Sequence, residues 1–227
     1  MNIYDIDNDN FEQFRQDLVV LEKDAERDKV YLYKNEHIIK VFVHKKLFST
    51  SRLVDKAKQF ERNACKLEQL QIPALTVDKV FYLQNPKRQC VLYPFVKGQT
   101  FYSVYVNELE EGRENLMKKF IDFFKLLHQN GVYFRSAHLD NILVREDGSL
   151  SLIDIGDIQF KARPLSVLEV FRNFKATLRR KQDFKIFLEY GIQRVLDYYF
   201  TAGQTPPLFL FLAKYTKKHP LHKLMFP

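Results

Sequence analysis

Residues 133–157, YFRSAHLDNILVREDGSLSLIDIGD, constrain the fold of this chain more than any other segment. Two short apolar runs, 142–144 and 150–153, flank a turn that contains Asp-Gly, and this pattern predicts a β-hairpin. The hairpin would bring Asn141 and Asp154, thirteen positions apart, to the same open end. An amide oxygen and a carboxylate placed together in this way suit a hard cation that carries phosphates.

The composition allows a sizeable core, because 46% of the 227 residues are hydrophobic. The net charge of +8 favours anionic partners such as phosphates, acidic lipid surfaces or nucleic acid, although a basic surface that only aids solubility explains it equally well. Cys65 and Cys90 lie in apolar surroundings and have no metal-ligand spacing, so we expect two buried thiols in a reducing cytoplasm. The acidic start of the chain does not look like a secretory signal, and the apolar run 208–213 is too short to span a bilayer.

The first part of the chain is predicted to be rich in strands. Apolar spacing and turn residues predict, in order, a helix over 10–23, a hairpin of strands 29–33 and 37–43, a helix over 52–70 capped by Ser49-Thr50-Ser51, and strands 76–83 and 89–93 joined at Asn85-Pro86. Segment 93–101 contains proline and glycine and is interpreted as a joint.

The second part is predicted to be mainly helical. An amphipathic helix over 114–131 ends at Gly131 and precedes the hairpin. Ser166 and Glu169 form a capping-box pattern that begins another helix, which runs to about residue 180. Further helices are expected over 184–200 and from Pro206. The predicted division is therefore a helical segment 1–24, a first lobe 25–96 and a second lobe 97–227.

This order of elements resembles the protein-kinase-like fold, and most closely the small bacterial branch of lipopolysaccharide-core sugar kinases and toluene-tolerance proteins. The resemblance covers roughly residues 25–180. It implies an α+β, bilobal fold in which a small β-rich lobe with one main helix precedes a larger α-helical lobe. It also implies ATP and Mg²⁺ as cofactors.

The resemblance also implies roles for individual residues. Lys40, in the middle of a strand, matches the lysine that contacts the α- and β-phosphates, and Glu61 matches its ion-pair partner, with Glu68 as the alternative. Phe95 and Val96 match the segment whose main chain binds adenine. Two further residues, Asn141 and Asp154, match the metal ligands.

Two positions of the loop before the hairpin, Ser136 and His138, depart from the family pattern. Ser136 stands where such kinases have a catalytic aspartate, and its hydroxyl can orient an acceptor but cannot take its proton as a carboxylate does. His138 and Asp140 are the candidates for a substitute base, and His138 could also be a hydrogen-bonding strut of the loop. The first hairpin, over 24–36, also lacks the glycines of a phosphate-binding loop.

These observations favour an altered phosphotransferase, because phosphoryl transfer depends more on positioning and charge neutralisation than on a base. The expected partners are a nucleotide and an anionic glycan or lipid acceptor, such as the lipopolysaccharide core, with no nucleic acid. The expected location is the cytoplasm, with peripheral contact at the inner face of the inner membrane left open. A pseudokinase that binds nucleotide or acts as a scaffold, and a protein kinase, are the alternatives.

Overall fold

A computed structural model describes residues 2–24, 27–42, 55–84, 87–200, 204–216 and 220–226. The chain divides into two compact units, Met1–Lys97 and Gly98–Pro227. The first unit is built around an antiparallel sheet and the second mainly from helices. The predicted α+β class, with a β-rich part that has one main helix followed by a larger helical part, is confirmed.

The first unit contains one five-stranded sheet. Its elements are α1 (Phe11–Arg15), β1 (Leu18–Asp24), β2 (Arg27–Tyr33), β3 (His37–Phe42), α2 (Lys56–Gln69), β4 (Lys79–Gln84) and β5 (Lys87–Pro94). All neighbouring strands are antiparallel in the order β1-β2-β3-β5-β4, so β3 is the central strand. The predicted hairpin of β2 and β3 is confirmed, and Tyr33 pairs with His37 across its turn.

Different segments cover the two faces of this sheet. Ile39 is fully buried in a cluster with Phe11 of α1. Because side chains alternate along a strand, Lys40 and Phe42 lie together on one face of β3. The Phe42 ring centroid is 5.8 Å from that of Phe60 in α2, and the Lys40 Nζ is 5.6 Å from the same ring. The sequence alternation in β3 therefore directs Lys40 to the face that α2 covers.

The helix predicted over 10–23 is wrong beyond Arg15, because β1 follows α1 after a turn. Leu18 and Val20 pack against the core of the sheet, whereas Val19 lies between them and is exposed. This alternation is that of a strand. The β-branched pair Val19-Val20 favours an extended chain, and pairing with β2 satisfies the main-chain groups that a helix would otherwise have bonded internally.

The beginning of α2 also differs from the prediction. The helix was expected from residue 52, but it begins at Lys56, and the predicted cap residues 49–51 lie outside the described residues. Asp55 is the N-cap, and its carboxylate accepts the main-chain N–H of Lys58 at 2.9 Å. Serine, threonine and aspartate all make good N-caps, so the sequence alone does not show which of these residues caps the helix. The turn predicted at 85–86 likewise lies outside the described residues.

The second unit combines helices with two small sheets. Its elements are β6 (Gln99–Thr100), α3 (Phe101–Asn107), α4 (Glu110–Gln129), β7 (Val132–Phe134), β8 (Ile142–Val144), β9 (Leu150–Leu152), β10 (Ile158–Phe160), α5 (Val167–Thr177), α6 (Lys181–Tyr190), α7 (Ile192–Tyr199), α8 (Pro207–Tyr215) and α9 (Pro220–Met225). The strands form a β6-β8-β9 sheet and a β7-β10 pair. The predicted hairpin is confirmed as β8 and β9, with Ile142 opposite Leu152.

Aromatic side chains of α4 form the centre of this unit. Phe120 and Phe124 are fully buried, with ring centroids 4.4 Å apart, and Phe120 also contacts Phe101 of α3. Gly131 follows α4 with φ +69°, and a β-carbon there would lie 2.4 Å from the carbonyl oxygen of Lys161. Glycine is therefore required where the chain turns from α4 into β7.

The capping box predicted at the start of α5 is present. The Ser166 hydroxyl accepts the N–H of Glu169, and the Glu169 carboxylate accepts the N–H of Ser166 at 2.8 Å. These bonds, together with Arg163, hold the pKa of Glu169 at about 2, well below its ordinary value.

Within the described part of the chain, none of the helices has both the length and the apolar character needed to cross a bilayer.

Candidate functional site

The loop between β7 and β8 holds four of the nine predicted site residues, and Asn141 closes it. The Asn141 side chain is buried, and its Nδ2 donates to the carbonyl oxygen of Ser136 at 2.8 Å. The Asn141 carbonyl oxygen accepts the N–H of Ile153 at 3.0 Å. Asn141 thus closes the loop and holds the end of β9. Asp154 comes directly after Ile153, the residue that is bonded to Asn141.

The main chain of Asp154 is in the left-handed region, with φ 53° and ψ 50°. Residues other than glycine adopt this conformation at a cost, which aspartate tolerates better than most, and such residues are frequent at functional sites. The conformation ends β9 and begins a short 3-10 turn over Ile155–Asp157. The backbone bend at Asp154 is consequently built into the open end of the hairpin, beside Asn141.

Ser136 contributes its main chain to the loop. Its carbonyl oxygen accepts both the Asn141 side chain and the N–H of His138, the latter at 2.8 Å. Within the described residues, the Ser136 hydroxyl has no hydrogen-bond partner and is half-buried. The main chain of Ser136 therefore shapes the loop, and its role as an orienting hydroxyl stays a prediction.

His138 is held mainly in its neutral form. Burial lowers the pKa of His138, and the nearby guanidinium of Arg180 lowers it further, whereas the carboxylates of Asp140 and Asp154 oppose this shift. Its Nδ1 is buried and has no hydrogen-bond partner among the described residues. A neutral imidazole can accept a proton at neutral pH.

Asp140 is engaged by two side chains of the segment that begins α6. The Arg180 guanidinium and the Gln182 amide, the latter at 2.9 Å, both donate to Asp140 Oδ2. A carboxylate that took a proton here would lose the attraction of Arg180. Asp140 is accordingly less suited than His138 to act as a base, although both were predicted as candidates.

A buried carboxylate that sequence reasoning missed supports the same loop. Asp183 of α6 is fully buried, and its Oδ2 accepts the N–H of Leu139 at 3.3 Å. Its Oδ1 has no partner among the described residues, and burial raises the pKa of Asp183 to about 6. One sequence signal existed: Asp183 lies on the same helical stripe as the buried residues Ile186 and Phe187.

A second buried network, also missed, holds the strand that leads into the loop. The Asn173 Nδ2 donates to the carbonyl oxygen of Phe134, so Asn173 Oδ1 accepts from His128 Nε2 at 2.9 Å. The remaining His128 nitrogen, Nδ1, accepts the Tyr199 hydroxyl at 2.7 Å. Burial lowers the pKa of His128 to about 4, so the network contains a neutral histidine. This chain of bonds ties three helices to β7.

In the first unit, the structure places Lys40 in the central strand, paired with Val30 and Val91 on its two sides. Its ammonium lies over Phe60, the residue that precedes Glu61 in α2. Glu61 is half-buried, whereas the alternative, Glu68, is exposed. The structure therefore brings Lys40 to the part of α2 that contains Glu61.

The predicted adenine-binding segment follows β5. The Phe95 N–H donates to the carbonyl oxygen of Glu36 at 2.7 Å, and the Phe95 side chain is exposed. Val96 is half-buried, and its N–H makes no hydrogen bond among the described main-chain groups. Since the Phe95 N–H is already bonded, Val96 is the residue whose N–H could serve a nucleotide base.

No group of three or more His, Cys, Asp or Glu side chains within the described residues could hold a metal ion. This finding concerns sites built from protein side chains alone. It does not conflict with Mg²⁺, which proteins often hold with one or two side chains plus phosphates. Both cysteines are free thiols, and Cys90 is buried. Cys65 is exposed, so the prediction that both thiols are buried is wrong for Cys65.

A cavity of about 690 Å³ lies elsewhere in the second unit. It is lined by Tyr105, Glu110, Glu111, Arg113, Glu114, Glu189, Tyr190 and Arg194. Much of the charge in this cavity is already paired within the protein, because the Arg194 guanidinium donates to the Glu114 carboxylate at 2.7 Å. None of the predicted site residues lines this cavity, so its size does not make it the functional site.

Comparisons with known proteins give limited similarity. No protein-family model matches the sequence. A curated relative, the probable serine/threonine-protein kinase KIN1 homolog of Encephalitozoon cuniculi (strain GB-M1), is 24% identical over 78 residues, which are 33% of this chain and 14% of the relative. The solved structure of the Cydia pomonella granulovirus kinase PK-1 gives a TM-score of 0.39 and 16% identity, over 70% of this chain and 58% of that chain. The chain spans less than two thirds of either protein, so the activity of neither is assigned to this chain.

Proposed function

We propose that this protein is an atypical phosphotransferase that uses ATP and Mg²⁺ and transfers a phosphoryl group to a hydroxyl of an anionic acceptor. The arrangement of Asn141 and Asp154 carries this proposal. Both lie at the open end of the β8-β9 hairpin, and the main chain links Asn141 to the residue before Asp154 at 3.0 Å. The limited similarity to two kinases agrees with the same reaction class.

The donor atoms at this end of the hairpin fit a magnesium ion. The Asn141 amide uses its nitrogen on Ser136, so its Oδ1 remains an acceptor. The Asp154 carboxylate adds oxygens of the kind that Mg²⁺ prefers. When bound, Mg²⁺ would neutralise charge on the phosphates. The protein's own contribution is to hold both ligands on a short, hydrogen-bonded hairpin.

In this proposal, His138 takes the role of the absent catalytic aspartate. Its pKa is lowered below the ordinary 6.5, so the imidazole is neutral at physiological pH and can take a proton from an acceptor hydroxyl. The Ser136 hydroxyl would orient that acceptor. Asp140, which Arg180 and Gln182 hold, would position the loop.

The acceptor we favour is an anionic glycan of the cell envelope, such as the lipopolysaccharide core. This finer proposal rests on the resemblance of the sequence and on the basic side chains beside the loop. Arg180 contacts Asp140 of the loop, and Arg172 and Arg179 are exposed on the same segment of the chain. Such a basic surface favours an acceptor that carries phosphates or carboxylates.

The first test is thermal unfolding with and without Mg-ATP. A ligand at about one hundred times its Kd stabilises the native state by about 2.7 kcal/mol, which for a chain of this size raises Tm by about 5–10 °C. We expect this shift in the wild type, and its loss in Asp154→Ala. Glu146→Gln, an exposed carboxylate at the other end of the same hairpin, is the matched control and should behave as the wild type.

The second test is transfer of labelled γ-phosphate to lipopolysaccharide-core preparations. Transfer by the wild type, greatly reduced in His138→Gln, would support the full proposal. A Mg-ATP shift without transfer to any acceptor would instead support a nucleotide-binding pseudokinase, which Ser136 and the absence of glycine over 24–36 favour. Absence of the shift at several millimolar Mg-ATP would refute the phosphotransferase.

A further inference from the structure

Helix α8 is apolar over most of its surface, but only one side is covered by the protein. Phe209 and Ala213 are fully buried, and the Phe209 ring packs edge to face on Phe171 and Phe174 of α5, with centroids 5.3 and 6.0 Å away. The remaining apolar side chains project outward. The outer face of α8 consists of Leu208, Leu210, Phe211 and Tyr215, which are 51%, 39%, 56% and 66% exposed.

This exposure is unusual, because a helix that is hydrophobic all round is normally buried in a core or in lipid. The outer face is also continuous. The rings of Phe211 and Tyr215, one turn apart, lie with centroids 4.5 Å from each other. The buried stripe alone would have sufficed to fix α8 on α5, so the outer face implies an apolar environment outside the protein.

The charge around this face points to an anionic environment. Residues 203–227 contain four lysines and two histidines but no aspartate or glutamate. Lys214, in the last turn of α8, and Lys223 of α9 are both exposed. His222 joins the two helices, through its Nδ1 and the carbonyl oxygen of Ala213 at 3.1 Å. Apolar and cationic side chains are thus combined on one pair of helices.

We propose that the outer face of α8 docks onto an anionic lipid surface. Its leucines and Phe211 would enter the boundary between headgroups and acyl chains, while Tyr215 and the lysines stay at headgroup level. A second copy of the chain fits less well, because a symmetric contact would oppose lysine to lysine. Nucleic acid would use the charge but leave the apolar side chains exposed. The inference does not depend on the proposed phosphotransfer, although lipid docking would suit an acceptor held in a membrane.

The test is co-sedimentation of the full chain with vesicles of phosphatidylcholine alone and of phosphatidylcholine with about 30% phosphatidylglycerol. We expect clear binding to the anionic vesicles, weak binding to the neutral ones, and a loss on the order of tenfold in Phe211→Ser. Lys214→Gln should weaken binding to the anionic vesicles and make that binding less dependent on salt. Leu188→Ser, which removes an equally exposed apolar side chain of α6, is the matched control and should bind as the wild type.

Equal binding to both vesicles, no binding to either, or the same loss in Leu188→Ser would overturn the proposal. So would a dimer in sedimentation velocity that Phe211→Ser converts to a monomer, because the face would then be an interface between two copies. Unchanged far-ultraviolet circular dichroism and Tm in Phe211→Ser would show that the variant is folded. An unchanged Mg-ATP shift in that variant would separate failure of lipid docking from failure of the nucleotide site.

Discussion

The buried histidine of the second unit makes stability depend on pH. His128 is only 3% exposed, and its pKa is lowered from 6.5 to about 4 by burial. The native state therefore binds this proton more weakly than the unfolded state. Stability is fully present above pH 6.5, where both states are neutral, and is lost as pH falls from 6.5 toward 4, because the unfolded state is protonated first.

The magnitude follows from the size of this shift. A tenfold change in proton affinity is worth about 1.4 kcal/mol, so the full loss below pH 4 is about 3 kcal/mol. As the pH falls from about 7.5 to about 5, roughly 2 kcal/mol of this contribution to the free energy of unfolding should be lost. Asp183 acts in the opposite direction, since its raised pKa of about 6 stabilises the native state as the pH falls. The wild type alone will thus show only a small net change.

The experiment therefore compares the wild type with His128→Gln, which keeps a donor and an acceptor but cannot titrate. Urea unfolding followed by circular dichroism at about pH 7.5 and pH 5 gives the free energy of unfolding of both proteins. The wild type should lose about 2 kcal/mol more than the variant over this range. Equal losses in the two proteins would refute the reasoning, because His128 would then have the same pKa in both states.

Four further outcomes are expected. Arg180→Gln removes the cation that helps to keep His138 neutral, so the acid limb of the pH profile of kcat/KM should move to higher pH; a shift to lower pH would contradict this role. Asp183→Asn should raise the free energy of unfolding at neutral pH by about 3 kcal/mol and remove the decrease in that free energy as the pH rises from 3.8 to about 6, and a destabilised variant in urea unfolding would contradict this. Gly131→Ala should lower the free energy of unfolding by at least about 1 kcal/mol, measured in the same way, because of its positive φ and the adjacent carbonyl group. Ser166→Ala should cost about 1 kcal/mol through loss of the capping box, and an unchanged Tm would show that the cap contributes nothing.

The features that could be predicted from the chain are those whose causes lie close together in sequence. The Asp-Gly turn specifies the β8-β9 hairpin and thereby places Asn141 and Asp154 at one end. The capping box specifies the start of α5, and the apolar stripe specifies α4. Each depends on residues within a few positions of one another, so local geometry is sufficient.

The error over residues 10–23 has the opposite cause. The apolar spacing of that segment is compatible with a helix, and only the pairing of β1 with β2 converts its second half to a strand. Strand pairing is a contact between segments, and its hydrogen bonds outweigh a weak local preference.

The environment of the loop likewise depends on partners that are distant in sequence. Asp140 meets Arg180, Leu139 meets Asp183 and His128 meets Asn173 across 40, 44 and 45 positions. The residue types at these positions are visible in the chain, but their burial and their partners are not. Burial and neighbouring charges set the pKa of His138, so a comparison of His138 with Asp140 as a base requires the folded protein.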